Sequence, residues 1–302
     1  MPSRNLVYEA LALRARESPA GDRIVCLMTA EAGLQDVFVF GGPKSKLRSL
    51  GAPYSAGRAF VYLDPPRDFR KLTDFDVREP FSGLRESLRK LWAAGLVAEF
   101  LLKTSGGGGD FPEVLALALD TLRGLEAESE ERSDYPTILF LWRMIALLGL
   151  MPDPGACSAC GVELAPGAPR LHTPSVSGYL CPRCAERESE RLACEPAGSR
   201  GYGNSYGGGY YGGGSRAGGA YGGPYGGGQA AERPGERDGG LVSISAGAAR
   251  WLDRAESLPF AEALKVSLDA PSLAGLKRLA FDLARRAAET PLATLNAGGG
   301  IL

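Results

Sequence analysis

Tyr8–Arg16 reads YEALALRAR, with Leu11, Leu13 and Ala15 alternating with Ala12, Arg14 and Arg16. A period of two is that of a strand with one wet face, and it sets both arginines on the same side. The pattern continues outward. Asp22–Thr29 (DRIVCLMT) and Leu34–Gly42 (LQDVFVFGG) are joined by the turn AEAG, Arg58–Leu63 is RAFVYL, and in Thr73–Arg78 (TDFDVR) Phe75 and Val77 oppose Asp74, Asp76 and Arg78. Five short strands without a long helix among them predict a small closed β-barrel over residues 1–80, because closure removes the edges at which strands of different chains pair. An OB-fold barrel is the leading reading and an SH3-like barrel the alternative.

Beyond Pro80 the apolar period lengthens. Leu84, Leu88, Leu91 and Trp92 share one helical face, with Ser82 as the expected cap. SGGGGD ends that helix, and Asp110 with Glu113, flanking Pro112, make a capping-box start for FPEVLALALDTLRGL. An acidic loop leads to an apolar helix from Pro136 to Leu148. Its run ILFLWRMIALLGLM carries Arg143 and is short for a bilayer, so it predicts a buried core helix and no membrane span. Helix resumes near Ser245, and Ser272 is the expected cap of the last long helix, whose stripe is Leu273, Leu276, Leu279, Ala280 and Leu283. The fold class is thus α+β and multidomain: an all-helical domain, split into residues 81–156 and 241–302, follows the barrel.

Between the two helical parts, within a segment read as residues 157–196, lie Cys157, Cys160, Cys181 and Cys184, two C-x2-C pairs twenty residues apart. Four thiolates fill all four positions of a tetrahedral Zn2+ and leave none for a catalytic water, so one structural zinc ion is expected. The linker has three prolines and few large apolar residues, and metal binding would stand in for a core. A deaminase-type centre needs H-x-E upstream and P-C-x-x-C. The only histidine, His172, precedes Thr173, and Leu180 precedes Cys181, so that reading fails. His172 is expected at the surface, and Cys26 and Cys194 are bystanders.

Residues 197–240 differ from the rest. In 201–228, 15 of 28 residues are Gly and 6 are Tyr, with no Leu, Ile, Val or Phe, so this insertion is expected to be disordered. Six cysteines are too few for a disulfide scaffold, and the N-terminus has no apolar signal-peptide core. A net charge of −1 gives no global attraction to nucleic acid, so a binding surface must be local. The best local signals are Lys44, Lys46 and Arg48 in GGPKSKLRSL, and Arg67, Arg70 and Lys71 beside Phe69 in PPRDFRKL, with Arg14 and Arg16 on the first strand. Small residues let a backbone approach phosphates that Lys and Arg neutralise. Residues 1–80 carry 12 basic and 10 acidic side chains, which is a local patch and not a basic domain.

The order of these parts, with DRIVCLMTAEAG, GGPKSKLRS, KLWAAGLVAEFLL, the helix running into CSAC, and SGYLCPRC, resembles the RecO family of bacterial recombination mediators. The resemblance implies an OB-fold that binds single- and double-stranded DNA and a helical domain carrying the zinc site. It also implies annealing of complementary strands and, with RecR, loading of RecA onto DNA coated by single-strand-binding protein. Such proteins are cytoplasmic, associate with the nucleoid and are not enzymes. The family's basic loop falls on Lys44, Lys46 and Arg48. A reading from another class is a zinc-stabilised adaptor of repair proteins with incidental DNA contact.

Overall fold

Alternation builds the first part of the molecule. In the computed structural model, which describes residues 4–18, 21–40, 49, 51–165, 168–173, 175–176, 178–194, 240–297 and 301–302, the strands β1 (Asn5–Glu17), β2 (Arg23–Thr29), β3 (Gly33–Val39), β4 (Ala56–Asp64) and β5 (Phe69–Glu79) close into a barrel of order β1-β2-β3-β5-β4. Neighbours are antiparallel except β3 and β5, which run parallel and pair only at Phe38 and Lys71. This is the strand order of an OB-fold.

The barrel interior holds Tyr8, Ala10, Ala12, Val25, Leu27, Val37, Val39, Ala59, Val61, Leu72 and Phe75. Here the simple alternation of Tyr8–Arg16 needs correction. A register shift between Ala12 and Arg14 breaks the period. Before the shift, Ala12 points inward and Leu11 and Leu13 join the helical core with Met28 and Ala56. After it, Ala15 packs on the barrel interior and Arg14 and Arg16 point outward, so neither arginine shares the face of Ala12. A bulge inserts one residue and so exchanges the faces that follow it.

The helices α1 (Leu88–Lys103), α2 (Phe111–Ala127) and α3 (Asp134–Leu147) come next. Ser87, not Ser82, caps α1, its hydroxyl accepting from the Lys90 N–H at 3.3 Å. Ser82–Glu86 form a 3-10 turn whose Leu84 is buried. Asp110 caps α2 as expected, accepting from the Glu113 N–H at 3.1 Å. The central helix α3 is buried over most of its length. Its first residue, Asp134, is held by Arg89 of α1 at 2.8 Å.

The remaining elements surround the cysteines. They are β6 (Arg170–His172), β7 (Tyr179–Leu180), α4 (Pro182–Cys194), β8 (Val242–Ile244), α5 (Ala246–Ala255), α6 (Phe260–Leu264), α7 (Ala270–Ala287) and α8 (Ala293–Ala297). Ser245 caps α5. Asp269, not Ser272, caps α7, accepting from the Ser272 N–H at 2.8 Å, because Pro271 already lies in the first turn. β6 is the centre of a three-stranded sheet, β7-β6-β8. Of the Gly/Tyr-rich insertion read as residues 197–240, all but Gly240 lies outside the described residues, so the disorder expected there does too.

Barrel and helices share one apolar core, since Leu11, Leu13, Met28 and Ala56 pack in the cluster that contains Leu101, Val114 and Leu141. Arg123 of α2 adds two bonds of 2.7 Å to the Glu79 carboxylate at the end of β5. Among the described residues no helix is long and apolar enough to cross a membrane.

Candidate metal centre and nucleic-acid interface

The first cysteine pair sits in a tight knuckle. The Cys157 N–H donates to the Val162 carbonyl at 2.9 Å, the Gly161 N–H donates to the Cys157 carbonyl at 2.8 Å, and Gly161 takes φ +73°. A side chain with Cβ is strained at that angle, which glycine adopts freely. Cys181 follows β7, and Cys184 lies in the first turn of α4. The four sulfurs lie within 4.8 Å of one another. Cys160 Sγ and Cys181 Sγ are 3.8 Å apart. A tetrahedral ion with arms of about 2.3 Å needs sulfur separations of about 3.8 Å, so the sites are spaced for one ion.

The local electrostatics point the same way. Burial pushes the Cys157 thiol up, but N–H groups of Cys181, Ala159 and Cys160 outweigh it and bring the thiol down to about 6. Cys184 is pushed up to about 12 by its hydrogen bonds to Cys160 and Cys181. The Cys157 thiolate is favoured and that of Cys184 is resisted until a cation joins them. The apolar support is slight: Cys157, Leu180, Cys181 and Ala185 are the buried members of this cluster. The other cysteines stand apart. Burial and Asp36 push the Cys26 thiol up to about 12, and Cys194 is exposed at the end of α4.

His172 is not at the surface as expected: it is 0 % exposed. Its ring stands off the sheet between the Gly178 carbonyl and Asp282 of α7. Nδ1 donates to the Gly178 carbonyl at 3.1 Å, and Nε2 lies 3.7 Å from the Asp282 carboxylate. Pairing of β6 with β8, some seventy residues later in the chain, was not legible in a short polar sequence.

The barrel register gathers most of the basic candidates that can be placed. Arg16 pairs with Ile24, Ile24 with Phe38, and Phe38 with Lys71, forming one row across four strands. Arg14, Cys26 and Asp36 form the adjacent row. Neighbouring strands carry paired residues on the same face, so Arg14, Arg16 and Lys71 share the outer surface of β1-β2-β3-β5. Arg16 is tied to Asp36 at 2.8 Å, which neutralises part of that face. Arg67 is exposed in the 3-10 turn before β5, 3.8 Å from Asp64, and Arg70 bonds Asp68 at 2.9 Å. Lys44, Lys46 and Arg48 lie outside the described residues.

The sequence reading missed Phe38 and Phe40. They form a cluster with Phe69 on the outer face, with Phe38 and Phe69 centroids 4.9 Å apart. The signal was present in Val37–Phe40, VFVF, where both faces of a strand are apolar although only one can line a barrel.

The family profile described as "Recombination protein O C terminal" matches residues 85–200. A "DNA repair protein RecO" of Desulforudis audaxviator is 30% identical over 189 residues, covering 63% of this chain and 74% of that protein. The chain belongs to the RecO family. Proteins of the same description from an Anaeromyxobacter species and from Myxococcus xanthus are 33% and 31% identical over 187 and 188 residues, covering 61% of this chain in each case and 72% and 75% of theirs. As a RecO-family protein, the chain has a role in DNA repair and recombination. The OB-fold barrel followed by helices agrees with the resemblance seen in the sequence, and the four cysteines could hold a metal ion there.

Proposed function

We propose that this RecO-family chain is a non-enzymatic mediator that binds single- and double-stranded DNA on its barrel and anneals complementary strands. With RecR it helps load RecA onto DNA coated by single-strand-binding protein, in the cytoplasm at the nucleoid. The observation that carries the reading is the row Arg16–Ile24–Phe38–Lys71, a continuous outer face with cations at both ends and apolar side chains between. The sequence that continues from Phe40 adds Lys44, Lys46 and Arg48. Two strands held against such a surface have their mutual repulsion screened and their local concentration raised until pairing takes over. Phosphate contacts carry no base information, so little sequence preference is expected.

Zinc at Cys157, Cys160, Cys181 and Cys184 has a structural role in this reading. When bound, it cross-links the knuckle to the start of α4 and takes no part in a reaction. The residues supply the fold around it: β6 and β7 orient the second pair, and Gly161 lets the first pair turn.

The test is fluorescence anisotropy of a labelled single strand across a salt series. Log K should fall with log salt by about 0.7 per phosphate neutralised. Lys44→Glu/Lys46→Glu/Arg48→Glu and Arg14→Glu/Arg16→Glu should each weaken binding and flatten the slope. A natural chain that does not bind at low salt sinks the proposal. Binding that neither variant alters moves the DNA surface elsewhere.

A further inference from the structure

The barrel closes between β3 and β5 at a single paired position, Phe38 with Lys71. Val37 and Val39 point into the barrel, so Phe38 and Phe40 point out, and Leu72 inward sets Lys71 outward. The rings of Phe38, Phe40 and Phe69 form one group on this seam. Phe40 lies 5.9 Å from Phe69 and 6.2 Å from Phe38, and its plane is within 16° of the Phe38 ring. The Lys71 ammonium is 5.4 Å from the centre of the Phe40 ring. Phe38 and Phe69 are half-buried against each other at this weakly paired seam, yet Phe40 remains 38% exposed. A seal does not explain why the outermost ring is left in water beside a cation.

We propose that Phe40, backed by Phe38 and Phe69, is a stacking surface for the unpaired bases of single-stranded DNA, with Lys71 meeting the adjoining phosphate. This rests on the reading of the barrel as a DNA surface and gives it a specificity. Every base has a π-face, so stacking on an aromatic ring is tolerant of sequence. Duplex bases are already stacked on one another, so the ring selects single strands, which phosphate contacts alone do not. Stacking occupies the face of a base and leaves its pairing edge free. A strand held on Phe40 therefore remains able to pair, and once paired its bases exchange the ring for their neighbours. The surface captures single strands and lets the annealed product go.

The experiment compares the natural full-length chain with Phe40→Ala, Phe40→Leu and Phe40→Trp. The probes are an oligo-dT strand, an abasic strand of the same length, and a duplex. Affinity for oligo-dT should fall about tenfold in Phe40→Ala and Phe40→Leu, the scale of losing one stacked base. Affinity for the abasic strand and the duplex should not change, nor should the melting temperature. Phe40→Trp should keep the affinity and show added emission that oligo-dT quenches and the abasic strand does not. If Phe40→Ala and Phe40→Leu hold oligo-dT as the natural chain does, while Lys44→Glu/Lys46→Glu/Arg48→Glu weakens it, the barrel binds DNA but the rings only seal it. An equal loss for all three probes with a lowered melting temperature also overturns the inference, because Phe40 is then structural. A natural chain that binds none of the probes at low salt overturns the DNA reading itself, and this inference with it.

Discussion

Arg170 and Asp253 face each other in a two-bond ion pair, Nη1 to Oδ1 at 3.0 Å and Nη2 to Oδ2 at 2.9 Å, which fastens β6 of the cysteine segment to α5. The guanidinium is largely covered and also lies 5.2 Å from the centre of the Tyr179 ring. Asp253→Ala would leave a covered cation without its anion. It should lower unfolding stability by about 1–3 kcal/mol, measured by urea titration. A midpoint equal to that of the natural chain would mean that solvent replaces the carboxylate without loss.

Metal removal should loosen more than the knuckle. β6 is paired to β7 on one side and β8 on the other, so the cysteine unit and the start of the last helical segment form one sheet. Chelation, or Cys160→Ser/Cys184→Ser, should abolish bound zinc and raise amide exchange in β6, β7 and β8 while the barrel strands stay protected. Protons compete with the ion for the thiolates, so zinc retention should weaken as pH falls. Elemental analysis that finds no zinc in the natural protein would remove the proposed ion.

His172 should give stability a pH dependence with a definite sign. Burial brings the imidazole down to about 4, against a Gly178 hydrogen bond that favours its charged form and with the nearby Arg286 charge lowering it further. Asp282 is too distant for a hydrogen bond and already binds Arg285 at 3.2 Å. The folded state therefore takes up its proton later than the unfolded chain. Stability is fully present above the ordinary histidine range, near 6.5, and is lost as pH falls from there toward 4, by about 3 kcal/mol in all. His172→Asn, which keeps a donor for Gly178, should remove that component of the slope in denaturation series between those limits. An unchanged slope would assign it to other groups.

Gly57 is required where β4 bends. A Cβ there would lie 2.0 Å from the Asp76 carbonyl oxygen of β5, at a register shift between Ala56 and Gly57. Gly57→Ala should cost about 3 kcal/mol or more by forcing the two backbones apart. Thermal unfolding of the variant at the natural temperature would show that the strands can give way without cost.

Local chemistry was readable in the chain. Asp110 was identifiable as a cap because a cap acts within three residues, and the return of helix near Ser245 was legible from the apolar period. Ser82 and Ser272 were misplaced because a 3-10 turn and Pro271 shift the helix starts, and no periodicity records such shifts. The reading of His172 as a surface residue failed for a longer-range reason. The ring faces Asp282 of α7, which lies far along the chain.

The five strand segments, the helical stripes and the four paired cysteines are legible in the chain alone. Each depends on spacings of a few residues, where side-chain direction follows directly from backbone geometry. Which side chains share a surface emerges only in the folded molecule. Arg16, Ile24, Phe38 and Lys71 span most of the barrel's length in sequence and meet in one row because strand register brings them there. Register is fixed by which face of every strand can be buried at once, and that is a property of the closed barrel rather than of any single stretch.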